Sequence, residues 1–169
     1  VGTFAAADVY YPPSGGAQAA VVFAADETFS AIVSSATAVM DTAVPYQPGE
    51  FYRRELPALH AVLDDITNID LLIIDGYVDL DPTGRPGLGA HAHKEFGTPV
   101  IGVAKSRFLT ATHAIPVLRG LSHRPLFITA AGMPLPDAVQ LVREMNGPHR
   151  IPDALRMVDT LTRVPRSQD

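Results

Sequence analysis

The chain has 169 residues, 47% hydrophobic and 18% charged, enough for one domain with a proper core and too apolar for a disordered segment. It carries a formal net charge of −5 and no cysteine, which excludes disulfides and thiolate metal sites and fits a reducing cytoplasm, the expected location. No apolar run approaches the roughly 20 residues of a membrane-spanning helix, and no signal peptide is visible at Val1.

In chain order, residues 3–9 read as a strand and Tyr11-Pro12-Pro13-Ser14-Gly15-Gly16 as a turn. Ala17 to Ala24 and Phe29 to Val39 read as two more strands, joined by a turn at Asp26-Glu27, so the chain opens with an antiparallel meander. Pro45-Tyr46-Gln47-Pro48-Gly49 is a rigid loop, because two prolines fix the backbone around one aromatic ring. Phe51, Leu56, Leu59, Val62, Leu63 and Ile66 then recur at helical spacing, which predicts an amphipathic helix over 50–66 with a kink at Pro57. Leu71 to Ile74 is a continuous apolar run, expected as a central strand covered on both faces. A Gly/Pro/Asp-rich loop follows over 76–87, then a helix over Gly89 to Phe96 and a buried strand over Val100 to Ala104. Ile115 to Leu118 is a short strand candidate, Leu126 to Thr129 a strand, and Pro136 to Met145 and Ile151 to Leu161 the last helices. Three strands followed by alternating helix and strand give an α/β fold: a mixed sheet, with a three-strand antiparallel meander and parallel strands, flanked by helices. The chain is expected to be a single domain over 1–169.

Two acidic residues, Asp8 and Asp75, each follow an apolar run that reads as a buried strand. A carboxylate there is costly unless something pairs with it or coordinates it, and carboxylates converging from strand ends are how proteins hold hard cations such as Mg²⁺. Glu55, on the predicted helix, is the third member of the candidate metal set; taken singly, each acid also fits a cap, a turn or a solvated surface. Lys105 follows the run Val100-Ile101-Gly102-Val103-Ala104, where a lysine can neutralise phosphate charge, and only one other lysine, Lys94, occurs in the chain. His91 and His93, two apart, do not share a helix face and do not make a zinc pair. Residues 1–104 hold 4 Lys/Arg against 13 Asp/Glu, a net of −9, and residues 105–169 hold 9 against 5, a net of +4. An acidic half holding metals and a basic half meeting phosphates suits a nuclease, and ordinary surface scatter gives the same numbers. Tyr46, presented between two prolines, is either a wedge or stacking platform for a nucleobase or a ring packed on its own domain.

The segments Ala6-Ala7-Asp8-Val9, Pro45 to Gly49, Arg54-Glu55-Leu56-Pro57, Ile74-Asp75-Gly76, Gly87 to His91, Pro99 to Lys105, Arg124 to Ile128 and Arg150 to Asp153, in this order, resemble the endonuclease V family of nucleic-acid repair enzymes. The resemblance implies an RNase H-like fold and a Mg²⁺-dependent endonuclease, with Mn²⁺ able to substitute. It implies action on deaminated bases, inosine or deoxyinosine, in DNA or RNA, with cleavage of the second phosphodiester bond 3′ to the lesion. It assigns Asp8, Glu55 and Asp75 to the metal, Lys105 to catalysis, and Tyr46 with Pro48 and Gly49 to the wedge that parts the strands. Gly87, Gly89 and His91 fall where the family forms its base pocket. A monomer without membrane contact is expected. Two departures stand out. Gly132 occupies the position of a histidine that helps at the family's active site. Asp79 and Asp81 replace the usual residues after the Asp-Gly pair, with Asp81 a candidate to take over a metal or water contact. These departures bear on rate and substrate preference rather than on fold, and they leave open a second reading, a lesion- or single-strand-binding protein that does not cut.

Overall fold

The computed structural model describes residues 2–41, 51–63 and 68–164. The elements are β1 (Phe4–Tyr10), β2 (Ala17–Ala24), β3 (Ile32–Met40), α1 (Phe51–Leu63), β4 (Leu71–Asp75), α2 (Leu88–Phe96), β5 (Val100–Ala104), β6 (Ile115–Val117), β7 (Leu126–Ala131), α3 (Leu135–Glu144) and α4 (Asp153–Thr162). The seven strands form one mixed sheet in the order β3-β2-β1-β4-β5-β7-β6. The expected meander is present, with β1–β2 and β2–β3 antiparallel, and β1–β4 and β4–β5 supply the parallel centre. No helix among the described residues is long and apolar enough to cross a membrane.

The third strand starts at Ile32, later than the Phe29 expected from the apolar pattern. Asp26 causes the difference. Its carboxylate accepts hydrogen bonds from the hydroxyls of Thr28 and Ser30 and the amides of Ser30 and Ala31, and Phe29 takes a left-handed conformation (φ 57°) with its ring buried. The turn therefore consumes three residues that alternate like a strand. The last helix begins at Asp153 rather than Ile151, because Pro152 stands at its N-cap in extended backbone.

Successive strand residues point to opposite faces. Ala6, Ile73, Ile101 and Val103 face α3 and α4 and join the core around Leu155, Val158 and Val142. Ala5, Ala7, Leu72 and Ile74 face α1 and α2 and join the core around Leu59, Val62 and Leu63. The three consecutive alanines of β1 are each at most 1% exposed, so the most central part of the sheet is its thinnest and helices close on it from both sides. The last carboxylates of β1 and β4 therefore stand at the rim of a tightly packed floor.

Strand direction sorts the loops by edge. The C-terminal ends of β1, β3, β4 and β5 and the start of β7 share one edge; the start of β5 and the end of β7 share the other. Open α/β sheets bind ligands outside the carboxyl ends of their parallel strands, which selects the first edge.

Candidate active site

The parallel pairing of β1 with β4 runs in register to Ala7 opposite Ile74, so the next residues, Asp8 and Asp75, lie side by side. Both continue the face of Ala6 and Ile73, toward α4. Burial, followed by the charge of Asp75, pushes Asp8 from an ordinary 3.8 up to about 6; the amide of Val9, donating to Asp8 Oδ1 at 2.8 Å, and the charge of Lys105 pull the other way. Lys105 is two residues beyond Val103, the partner of Asp75 on β5, and its Nζ lies 3.2 Å from Asp75 Oδ2. Three of the four residues expected to carry chemistry are thus neighbours on one rim.

A further acid belongs to this rim. Asp159 on α4 adds to the upward push on Asp8, and its Oδ1 is held at 3.3 Å by Nε of Arg163, whose guanidinium lies 4.3 Å from the ring centroid of Tyr10 at the end of β1. Sequence reading passed over Asp159 because it is one charged residue in an amphipathic helix. The available signal was its place beside Val158, on the buried side of α4.

Glu55 is half-buried on α1, which packs on the opposite face of the sheet. His60, five residues on, reaches Glu95 near the C-terminal end of α2, at the far edge, with 3.0 Å between His60 Nε2 and Glu95 Oε1. Glu55 is therefore set back by roughly 7.5 Å of helix toward the carboxylate edge. Among the described residues, no three histidine, aspartate or glutamate side chains are gathered into a ready metal cage. What the fold does gather is the Asp8–Asp75 pair. Two hard oxygen donors pressed together, one carrying a carboxylate pushed up by burial and like charge, fit a divalent cation of the Mg²⁺ type.

The segment after Asp75 crosses directly over β5. An added Cβ on Gly102 would lie 2.6 Å from the carbonyl oxygen of Gly76 and 2.6 Å from Thr129 Oγ1, so only glycine lets the crossing pass; Gly76 itself needs a φ of +134°. Thr129 Oγ1 accepts the buried amide of Val78 at 2.8 Å and fixes the crossing from below. Tyr77 then donates its hydroxyl proton to the carbonyl of Ser106 at 2.7 Å and accepts the Phe108 amide at 2.9 Å, tying this loop to the one after Lys105.

Gly87 and Gly89 have a packing reason. Cβ atoms there would stand 2.8 Å from the Tyr77 carbonyl oxygen and 2.7 Å from Val78 Cγ2, and both amides donate to carbonyls of residues 77 and 78. The start of α2 is thus seated on Val78, with those donors already used. His91, in the next turn, is half-buried, and desolvation, then Lys94, lowers its pKa, which favours the neutral ring. Tyr46, Pro48 and Gly49 lie outside the described residues.

Two sequence expectations change. Asp81 does not reach toward the carboxylates: its Oδ1 accepts the hydroxyl and amide of Thr83 and the amide of Arg85, and it organises the hairpin turn whose strands meet at Asp79 and Pro86. Gly132 is at the wrong end of the sheet to supply an active-site group. β7 runs antiparallel to β5, with Ala131 beside Val100 and Phe127 beside Ala104, so Gly132 follows the edge opposite Lys105. It adopts φ +75°, and a Cβ there would stand 2.7 Å from Cε1 of His93. That histidine is structural, with Nδ1 2.6 Å from the Thr98 carbonyl oxygen.

Comparison with known proteins identifies the fold and the family. The Endonuclease V family model matches residues 1–129. Endonuclease V of Azotobacter vinelandii is 30% identical, the match covering 95% of this chain and 82% of that protein. The crystal structure of Endonuclease V from Streptomyces avermitilis superposes with a TM-score of 0.79 at 28% identity, covering 96% of this chain and 80% of that one. Ciona intestinalis Endonuclease V, solved in complex with a 24mer DNA containing an inosine followed by a ribo-adenosine, has the same fold at 20% identity, with a TM-score of 0.76 over 96% of this chain and 85% of that one. The sheet is the RNase H-like one of these enzymes, and the chain belongs to the Endonuclease V family.

Proposed function

We propose that this protein is a Mg²⁺-dependent endonuclease that nicks nucleic acid at deaminated bases, cutting the second phosphodiester bond 3′ to inosine. The observation that carries the reading is the Asp8–Asp75 pair at adjoining strand ends with Lys105 Nζ at 3.2 Å from Asp75. Asp8 and Asp75 would hold the cation, with Glu55 and Asp159 proposed as the further acids that complete its shell. Bound there, a divalent cation supplies positive charge to the scissile phosphate and acidifies water. Lys105 places a second positive charge on the same rim, where charge grows on phosphate oxygens. Asp8 must lose its proton before it can serve as a ligand, so proton and cation compete for it, and metal affinity is expected to weaken as pH falls through about 6. The inosine-bearing DNA of the Ciona relative supports the substrate class. The reading of a protein that binds without cutting drew on Gly132 and on the altered Asp79/Asp81 loop; Gly132 lies at the far edge and Asp81 is engaged in its own turn, so both observations favour the cutting enzyme.

The test is an end-labelled strand with one deoxyinosine, incubated with the protein and Mg²⁺ or Mn²⁺, beside the same strand carrying inosine in RNA. The expected product is a single nick one nucleotide beyond the lesion's own 3′ bond, leaving a 3′-hydroxyl and a 5′-phosphate. A folded protein that leaves both strands intact with either metal refutes the reading. Lesion-specific binding that persists in Asp75→Ala without any nick moves the function to recognition alone.

A further inference from the structure

Lys105 is the first residue beyond β5, where the sheet no longer holds the backbone. One guanidinium takes over. Arg150, in the loop between α3 and α4, donates from Nη2 to the carbonyl of Lys105 at 2.5 Å and to that of Pro125 at 3.1 Å, and from Nε to the carbonyl of Arg124 at 2.9 Å. The end of β5 and the start of β7 are thereby tied to a single planar group. The loop carrying Arg150 is itself fixed from behind. Arg119, 6% exposed, donates to the carbonyls of Met145 (2.6 Å), Gly147 (3.0 Å), His149 (2.8 Å) and Arg150 (3.3 Å). Both arginines spend these donors on backbone oxygens. They serve geometry, a role that needs the rigid fork of guanidinium and that the point charge of lysine cannot fill.

We propose that Arg150 is a positioning residue for Lys105: its three-carbonyl clamp sets where the lysine leaves the sheet and so where the ammonium stands beside Asp75. This rests on the reading of Lys105 as the group that meets the phosphate. Displacement of a reacting group by about an ångström costs roughly 10²-fold in rate, so loss of the clamp is expected to slow the chemical step by that order with little change in substrate affinity.

A double-mutant cycle on single-turnover nicking of the deoxyinosine strand tests it, using Arg150→Gln, Lys105→Ala and the pair. If Arg150 acts through Lys105, Arg150→Gln slows the parent enzyme roughly 10²-fold but slows Lys105→Ala by no more than about twofold. Equal slowing in both backgrounds overturns the proposal, because a merely structural residue is as damaging without the lysine as with it. The chain also provides a readout independent of cutting. Lys94 and Lys105 are its only lysines, so lysine labelled with ¹³C at Cε gives two signals. Arg150→Gln is expected to move the Lys105 signal toward the position of free lysine and leave that of Lys94 in place; an unmoved Lys105 signal overturns the proposal. Should the glutamine variant fail to fold, Arg150→Lys, which keeps the charge and part of the donor set, enters the same kinetic cycle with the same two outcomes. A Lys105→Ala enzyme that cuts at the parent rate refutes the role of Lys105 itself, while the lysine signal still decides whether the clamp exists.

Discussion

Asp8→Asn should make the protein more stable while it destroys the site. Asparagine has the shape of aspartate and keeps an oxygen to accept the Val9 amide at the present 2.8 Å, so packing and that hydrogen bond survive. What disappears is a negative charge that burial and Asp75 oppose. The carboxyl is raised from 3.8 to about 6, and each unit is worth ~1.4 kcal/mol, so ionising Asp8 in the folded state costs about 3 kcal/mol relative to the unfolded chain. The sign follows from which state binds the proton more tightly. Below the unfolded value of 3.8 the group is protonated in both states, and wild type and Asp8→Asn should be equally stable at this position. As pH rises to about 6 the folded wild type loses the stability its raised pKa conferred, and above that the deficit is constant. Urea denaturation of both proteins between pH 4 and 8 without metal is expected to show curves that meet at the acid end and separate to about 3 kcal/mol, or roughly 6–12 °C in melting temperature, at pH 8. Divalent cation is expected to close most of that gap. Mg²⁺ at 100 times its dissociation constant stabilises the wild type by about 2.7 kcal/mol and the variant by much less. A gap that does not change with pH, or a variant less stable than wild type at pH 8, refutes the account of a strained carboxylate pair.

Three further outcomes follow from the same geometry. Asp159→Asn removes one of the charges raising Asp8, so the Asp8 midpoint followed by carboxyl-carbon NMR should move down, whereas an unmoved midpoint places Asp159 outside the site. Gly102→Ala forces a Cβ to within 2.6 Å of the Gly76 oxygen and Thr129 Oγ1, and should cost about 1–3 kcal/mol by urea titration and slow nicking with it, because the chain leaving Asp75 must lift. Gly132→His, the change that the family resemblance suggested as a restoration, should lower stability by about 1–3 kcal/mol through its +75° φ and the His93 ring, and should give no gain in nicking rate.

The pair of residues 159 and 132 shows where sequence stops being readable. Apolar runs broken by turn residues mark strands well, so the meander, the buried β4 and β5 and the carboxylates at the ends of β1 and β4 were all visible in one dimension. The same pattern carries no strand direction. Whether β7 lies parallel or antiparallel to β5 decides which end of it meets Lys105, and that choice depends on how the stretch 106–124 returns the chain, a stretch with little periodicity. With β7 antiparallel, Arg124 and Pro125 arrive at the lysine and Gly132 departs from it, so the residue that the family resemblance marked as a loss falls on the far rim. Asp159 has the opposite history. Its helix was legible but its facing was not, since an exposed and a rim-facing aspartate look alike in a helical repeat. Only the packing of Ala154, Leu155 and Val158 onto the Ala6 face turns Asp159 toward Asp8. The acid overlooked on α4 and the histidine expected after β7 were thus one question, which element closes the site beside Asp8, and the packing answers it with α4.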